Sequence, residues 1–145
     1  MFTVILFNVL IIKFNLVIMS KIKPISSMTT PRFADIATFF RLPVIKNLNQ
    51  LDYCLCGVPW DGGTTNRPGA RHGPREIRNA SSLIRLYHPI SLISPYDKFN
   101  IADIGDCPVN PADLDDSLKK IEKFYINIFN SKTISYILSY GHMRK

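Results

Sequence analysis

From Leu51 onward, short apolar runs of strand length alternate with amphipathic helical patterns, and this alternation constrains the fold more than any other feature of the sequence. Tyr53-Cys54-Leu55-Cys56-Gly57-Val58 is a continuous apolar run closed by Pro59, as expected of a buried strand. Residues 99–104 repeat the pattern and are stopped by Gly105 and Pro108; residues 133–138 repeat it again. Between the first two runs, Gly73-Pro74 opens a helix. Proline at the first helical position forfeits no hydrogen bond, and Glu76 sits favourably near the positive helix start. Ile77, Ala80, Ser81 and Ile84 then form one apolar stripe that ends before Pro89. A second helix from about Ala112 carries Leu114, Leu118, Ile121, Tyr125 and Ile128 on one face, with Lys119, Lys120 and Lys123 largely off it.

The order strand, helix, strand, helix, strand predicts an α/β fold with a parallel sheet, right-handed crossovers and helices on its faces. Ligands of open sheets bind outside the carboxyl ends of the strands. That rule brings together the loops at 59–72, 103–110 and 140 onward. Three strands are fewer than such a sheet ordinarily uses, so residues 51–145 read as part of a larger domain.

The remaining segments read differently. Residues 1–19 are almost wholly apolar, broken by Thr3, Asn8, Lys13 and Asn15. A spanning helix needs roughly 20 apolar residues, and a central lysine is unfavourable there. Residues 1–18 therefore read as sequence upstream of a start at Met19, with a membrane anchor through residues 2–18 as the alternative. Residues 19–50 form a polar arm interrupted by Pro24, Pro31 and Pro43. Three cysteines, Cys54, Cys56 and Cys107, are too few for a disulfide framework and suit a reducing, cytoplasmic setting as small buried hydrophobes. The formal charge of +7 is concentrated partly in Arg67, Arg71, Arg75, Arg78 and Arg85. Without a stacking set of aromatics or a recognisable module, they predict a surface or subunit-contact face rather than nucleic-acid binding.

The strand-end loops carry the chemistry. They read Gly57-Val58-Pro59-Trp60-Asp61-Gly62-Gly63-Thr64, then Arg67-Pro68-Gly69-Ala70-Arg71-His72-Gly73-Pro74-Arg75-Glu76-Ile77-Arg78, then Asp103-Ile104-Gly105-Asp106-Cys107-Pro108-Val109-Asn110-Pro111. Asp61, Asp103 and Asp106 could form a carboxylate set; the alternative is that they brace loops through backbone N–H groups. Gly62-Gly63 lacks the context of a phosphate-binding loop.

This succession, together with residues 31–43, resembles the amino-terminal third of the ureohydrolase (arginase/agmatinase) superfamily, with agmatinases and guanidino-acid hydrolases the nearest branch. The resemblance implies a three-layer α/β/α fold, a small guanidino substrate, homo-oligomers, and two Mn²⁺ ions that supply hydroxide for hydrolysis of the guanidino group to urea and an amine. Agmatine is the first substrate implied; guanidinobutyrate or guanidinopropionate is the alternative. Thr65, Asn66 and His72 fall on the loop at the substrate mouth. His142 falls on the first metal-ligating histidine, but Leu138-Ser139-Tyr140-Gly141-His142 replaces the Leu-Gly-Gly-Asp-His of the family. The Asp-x-His-x-Asp motif does not occur in the sequence.

A second reading is thus a catalytically silent remnant. The purified chain with added Mn²⁺ is expected to release no urea from agmatine or guanidinobutyrate. Turnover that disappears in His142→Ala would overturn that expectation.

Overall fold

The computed structural model of the chain describes residues 21–131 and 133–137. Three strands, β1 (Tyr53–Gly57), β2 (Ile101–Asp106) and β3 (Ile134–Ile137), form a parallel sheet in the order β2-β1-β3. Two helices, α1 (Gly73–Ser81) and α2 (Leu114–Asn130), make the crossovers. From the central β1 the chain steps one way to β2 and then back past it to β3. With right-handed connections, that reversal sends the helices to opposite faces of the sheet.

The strand period of two separates those faces. Cys54 and Cys56 point with Ala102 and Ile104 toward Ile128, Phe124 and Tyr125 of α2. Leu55 points the other way, into a cluster with Phe39, Leu42 and Tyr96 against which Ile77 of α1 packs. The result is the α/β/α layering expected from the sequence. Asp113 caps α2, its carboxylate accepting the Asp116 N–H at 3.0 Å.

Two helical expectations shift. The first helix ends at Ser81 instead of reaching Ile84, because the hydroxyls of Ser81 and Ser82 donate to the carbonyls of Arg78 and Asn79 and close the last turn. Ile84 is consequently 52% exposed. In α2 the inward face is Ser117, Ile121, Phe124, Tyr125 and Ile128, whereas Leu114 and Leu118 remain 50% and 41% exposed. The Ser117 hydroxyl sets this rotation by accepting the Asn110 N–H at 2.9 Å and donating to the Asn110 carbonyl at 2.6 Å.

The β2 strand carries an irregularity. Leu55 aligns with Asp103 but Cys56 aligns with Gly105, so Ile104 and Gly105 together stand opposite one residue of β1. Gly105 takes φ +86°, a conformation that favours glycine.

Arm residues lie against this sheet. Val44 bridges Asp103 in parallel, the Ile45 N–H donates to the Asp103 carbonyl at 3.0 Å, and the Asp103 N–H donates to the Pro43 carbonyl at 3.2 Å. Residues 43–45 thereby occupy hydrogen-bonding groups on the outer edge of β2. Nearer its start, Lys23 pairs with Asp97 at 2.9 Å and the Ile22 N–H donates to Asn100 Oδ1 at 3.2 Å. Among the described residues no helix is long and apolar enough to cross a membrane. The apolar segment 1–18, the loop from residue 140 and His142 lie outside the described residues.

The end of β1 meets the start of α1 at Gly57, where an added Cβ would stand 2.5 Å from Pro74 Cβ. Gly57→Ala is expected to lower stability by about 1–3 kcal/mol, read as a lower midpoint in chemical denaturation. An unchanged midpoint would show that helix and strand separate freely there.

Candidate functional site

One buried aspartate follows β1 and another lies within β2. Asp61 follows β1 and is 2% exposed. Its Oδ2 accepts the Gly69 N–H at 2.6 Å and the Arg71 N–H at 3.3 Å, and its Oδ1 takes the Arg71 guanidinium at 2.5 Å. Its carbonyl accepts both the N–H and the hydroxyl of Thr64. The whole loop 59–72 is therefore gathered around one side chain. The Gly69 N–H is the main influence holding the Asp61 carboxyl below the usual carboxylate range, with Arg71 adding to it.

Thr65, Asn66 and His72, the three substrate-loop candidates, are all exposed on this loop. Thr65 and Asn66 sit in its outer turn, and His72 closes the 3₁₀ turn Ala70–His72 immediately before α1. The structure thus places them on one loop at the end of the sheet where ligands are expected.

The second aspartate, Asp103, is 1% exposed. Arg78 of α1 grips it with two donors, Nε to Oδ2 at 2.8 Å and Nη2 to Oδ1 at 3.0 Å, and reaches Asp106 Oδ1 with Nη1 at 2.8 Å. The Phe39 N–H donates to Oδ2 at 3.0 Å and the Gly105 N–H to Oδ1 at 2.7 Å. The Arg78 guanidinium also lies 4.0 Å from the centre of the Phe39 ring. Burial opposes ionisation of Asp103, but Arg78 and the two N–H groups outweigh it and keep the carboxyl below its ordinary range.

Arg78, expected on a basic outer face, is thus spent inside the chain on two aspartates, whereas Arg71 stays exposed and pairs with Asp61 of its own loop. Sequence reasoning missed the role of Arg78. The available signal was its place one residue from Ile77 and three from Ser81, beside the inward stripe of α1.

The cysteines complete the surroundings. Cys54, Cys56 and Cys107 are all buried. Burial pushes the Cys54 thiol up to about 12 and the Cys107 thiol up to about 11, so both are protonated at neutral pH. Cys56 Sγ lies 3.9 Å from the Tyr125 hydroxyl. These are packing groups, as the sequence suggests.

Comparison with known proteins settles the lineage. The sequence model of the arginase family matches residues 51–143. The chain belongs to the arginase family. It is 51% identical over 121 residues to a guanidinopropionase of Pseudomonas aeruginosa, covering 83% of this chain and 38% of that protein. It is 38% identical over 119 residues to a mitochondrial agmatinase of Gallus gallus, covering 82% of this chain and 35% of that protein. Among solved structures, the proclavaminate amidino hydrolase of Streptomyces clavuligerus superposes with a TM-score of 0.66 at 35% identity, over 70% of this chain and 34% of that one. The chain spans a little over a third of the length of the curated relatives it matches.

Arginase-family membership implies a metal-dependent class of hydrolase. Among the described residues, no three His, Cys, Asp or Glu side chains converge where they could hold a metal ion. Asp61 and Asp103 have their oxygens occupied by guanidinium and N–H donors, and Asp106 is paired with Arg78. These aspartates do not fit a metal centre; they brace the loop after β1 and the irregular part of β2.

Breaking the Arg78–Asp103 pair leaves a buried charge unpaired, so Arg78→Met is expected to lower stability by about 3–5 kcal/mol. Because the folded-state carboxyl of Asp103 titrates below its unfolded value, its contribution is full above about pH 4 and fades as pH falls through the lower folded-state value. Denaturation midpoints across pH 2–7 should show an acid-side loss that is shallower in Asp103→Asn. Equal acid-side slopes in both proteins would contradict this assignment.

Proposed function

We propose that this chain contributes the amino-terminal, loop-bearing portion of a guanidino-compound hydrolase that cleaves a guanidino C–N bond to give urea and an amine. The observation that carries the reading is 51% identity over 121 residues to a guanidinopropionase, in a segment containing the loop organised by Asp61. A guanidinium carbon is a poor electrophile and neutral water a poor nucleophile, so such an enzyme must orient its substrate closely and activate water.

Within this portion, Thr65, Asn66 and His72 line the substrate mouth, supported by their exposure on loop 59–72 at the carboxyl end of β1. The two Mn²⁺ ions implied by the resemblance are part of the proposal, with His142 the position in this sequence that matches a ligand. The described aspartates take no part in holding them. Of the two substrate readings, a guanidino acid is favoured over agmatine, because identity to the guanidinopropionase exceeds the 38% found with an agmatinase. A cytoplasmic setting is supported by a set of three buried cysteines too small for a disulfide framework, and homo-oligomeric assembly follows from the resemblance.

A chimera tests this reading. The matching segment of the Pseudomonas aeruginosa guanidinopropionase is replaced by residues of this chain, and urea release is measured with guanidinopropionate, guanidinobutyrate and agmatine. Turnover with the guanidino acids above that with agmatine is expected, and Asn66→Ala or His72→Ala should raise KM more than they lower kcat. A chimera that melts and assembles like its parent yet releases no urea would defeat the proposal. Faster turnover of agmatine would defeat its choice of substrate.

A further inference from the structure

Away from the strand ends, the arm and the last turn of α1 enclose a cavity of about 230 Å³. Arg32, Thr38 and Arg41 line it from the arm, and Asn79 and Ser82 from the helix and its cap. Two donors in this lining are fully buried and find no hydrogen-bond partner among the described residues: Nη1 of Arg41 and Oγ1 of Thr38. Thr38 as a whole is only 8% exposed. Arg41 donates elsewhere through Nη2, to the Thr30 carbonyl at 2.8 Å, and Arg32 donates to the Leu83 carbonyl at 3.0 Å. Both guanidinium groups are held in place, yet among the described residues neither forms an ion pair.

A guanidinium cannot discharge by losing its proton. A buried N–H of that group without an acceptor is an unmet demand that native structures rarely leave open. Asp35 is the one acid in the lining, and its Oδ1 is engaged by the Ile36 N–H at 2.7 Å. Two guanidinium groups therefore face one carboxylate. Residues 1–20 and 138–145 contain no aspartate or glutamate, so no acidic side chain from those segments could supply the missing acceptor.

The backbone beside the cavity is held in an unfavourable shape. Phe40 and Arg41 take consecutive left-handed conformations, φ +55° and +59°, and Asp35 takes φ +75°. The Phe40 N–H is pinned by Ser81 Oγ at 2.9 Å and the Arg41 carbonyl by the Ile25 N–H at 2.9 Å. The Arg41 N–H also donates to the Thr38 carbonyl at 3.2 Å, and strain maintained by surrounding contacts is typical of ligand clamps.

We propose that this cavity is a binding site for a small carboxylic acid, whose carboxylate accepts from Arg41 Nη1 and the Thr38 hydroxyl. A single excess positive charge suits a monoanion. Ile25, Ile36 and Ala37 in the lining suit a short apolar body behind the carboxylate. The site is separate from loop 59–72 and does not depend on the proposed hydrolase reaction.

The test is calorimetric titration of the full chain with sodium butyrate at constant ionic strength. One-to-one saturable binding is expected, lost in Arg41→Met and weakened about tenfold in Thr38→Val. Because the Thr38 hydroxyl is unpartnered without ligand, Thr38→Val should leave the ligand-free melting temperature unchanged or raise it, which a merely structural threonine would not do. Butyramide, which lacks the charge, should not compete, and methyl phosphate should compete poorly. Absence of butyrate binding, equal binding of butyramide or methyl phosphate, or unaltered binding in both variants would overturn the proposal. So would self-association, seen by sedimentation, that Thr38→Val disrupts, since a carboxylate of a second copy would then be the occupant.

Discussion

One contact holds the described fold together: the two-pronged grip of Arg78 on Asp103. The aspartate lies in β2 and the arginine on α1, so the pair fastens helix to sheet. The same carboxylate accepts the Phe39 N–H and thereby fixes the arm, and it accepts the Gly105 N–H and thereby fixes the irregular end of its own strand. Three segments, the arm, α1 and β2, meet at one charged group that is 1% exposed. A buried ion pair contributes little net stability against an apolar substitute of the same shape, but its directional donors specify which segments must meet. That distinction explains how a carboxylate within a strand can organise the segments around it while its oxygens are taken up by donors of the chain itself.

Asp61 does at the end of β1 what Asp103 does within β2, on a smaller scale. It draws Gly69 and Arg71 back over the strand end and leaves the outer turn projecting. Loop 59–72 can therefore vary at exposed positions such as Thr65 and Asn66 while its base remains fixed. Functional loops on rigid scaffolds commonly divide their residues in this way.

The alternation of strands and helices was legible because parallel strands buried on both faces are written as unbroken apolar runs. The strand-end loops were legible because glycine, proline and aspartate punctuate them. The rotation of α2 was hidden, since a serine, Ser117, occupies the most buried position and two leucines lie to the side. Periodicity ranks side chains by apolarity and cannot see a hydroxyl committed to the Asn110 backbone. The arm was equally opaque: its attachments to Asp103, Asn100 and Asp97 join residues more than fifty positions apart, and no local pattern records them.

The irregularity in β2 also alters the parity of the strand. On a regular strand, residues three apart face opposite sides, and Asp103 and Asp106 would then answer to different helices. Setting Ile104 and Gly105 against the single residue Cys56 shifts the count by one and turns Asp106 to the side that Asp103 already faces. A single guanidinium can then bridge both carboxylates. The spacing of three between these aspartates is thus readable only together with the glycine between them: with the same spacing in a strand of regular register, the two letters of sequence describe two unrelated surfaces.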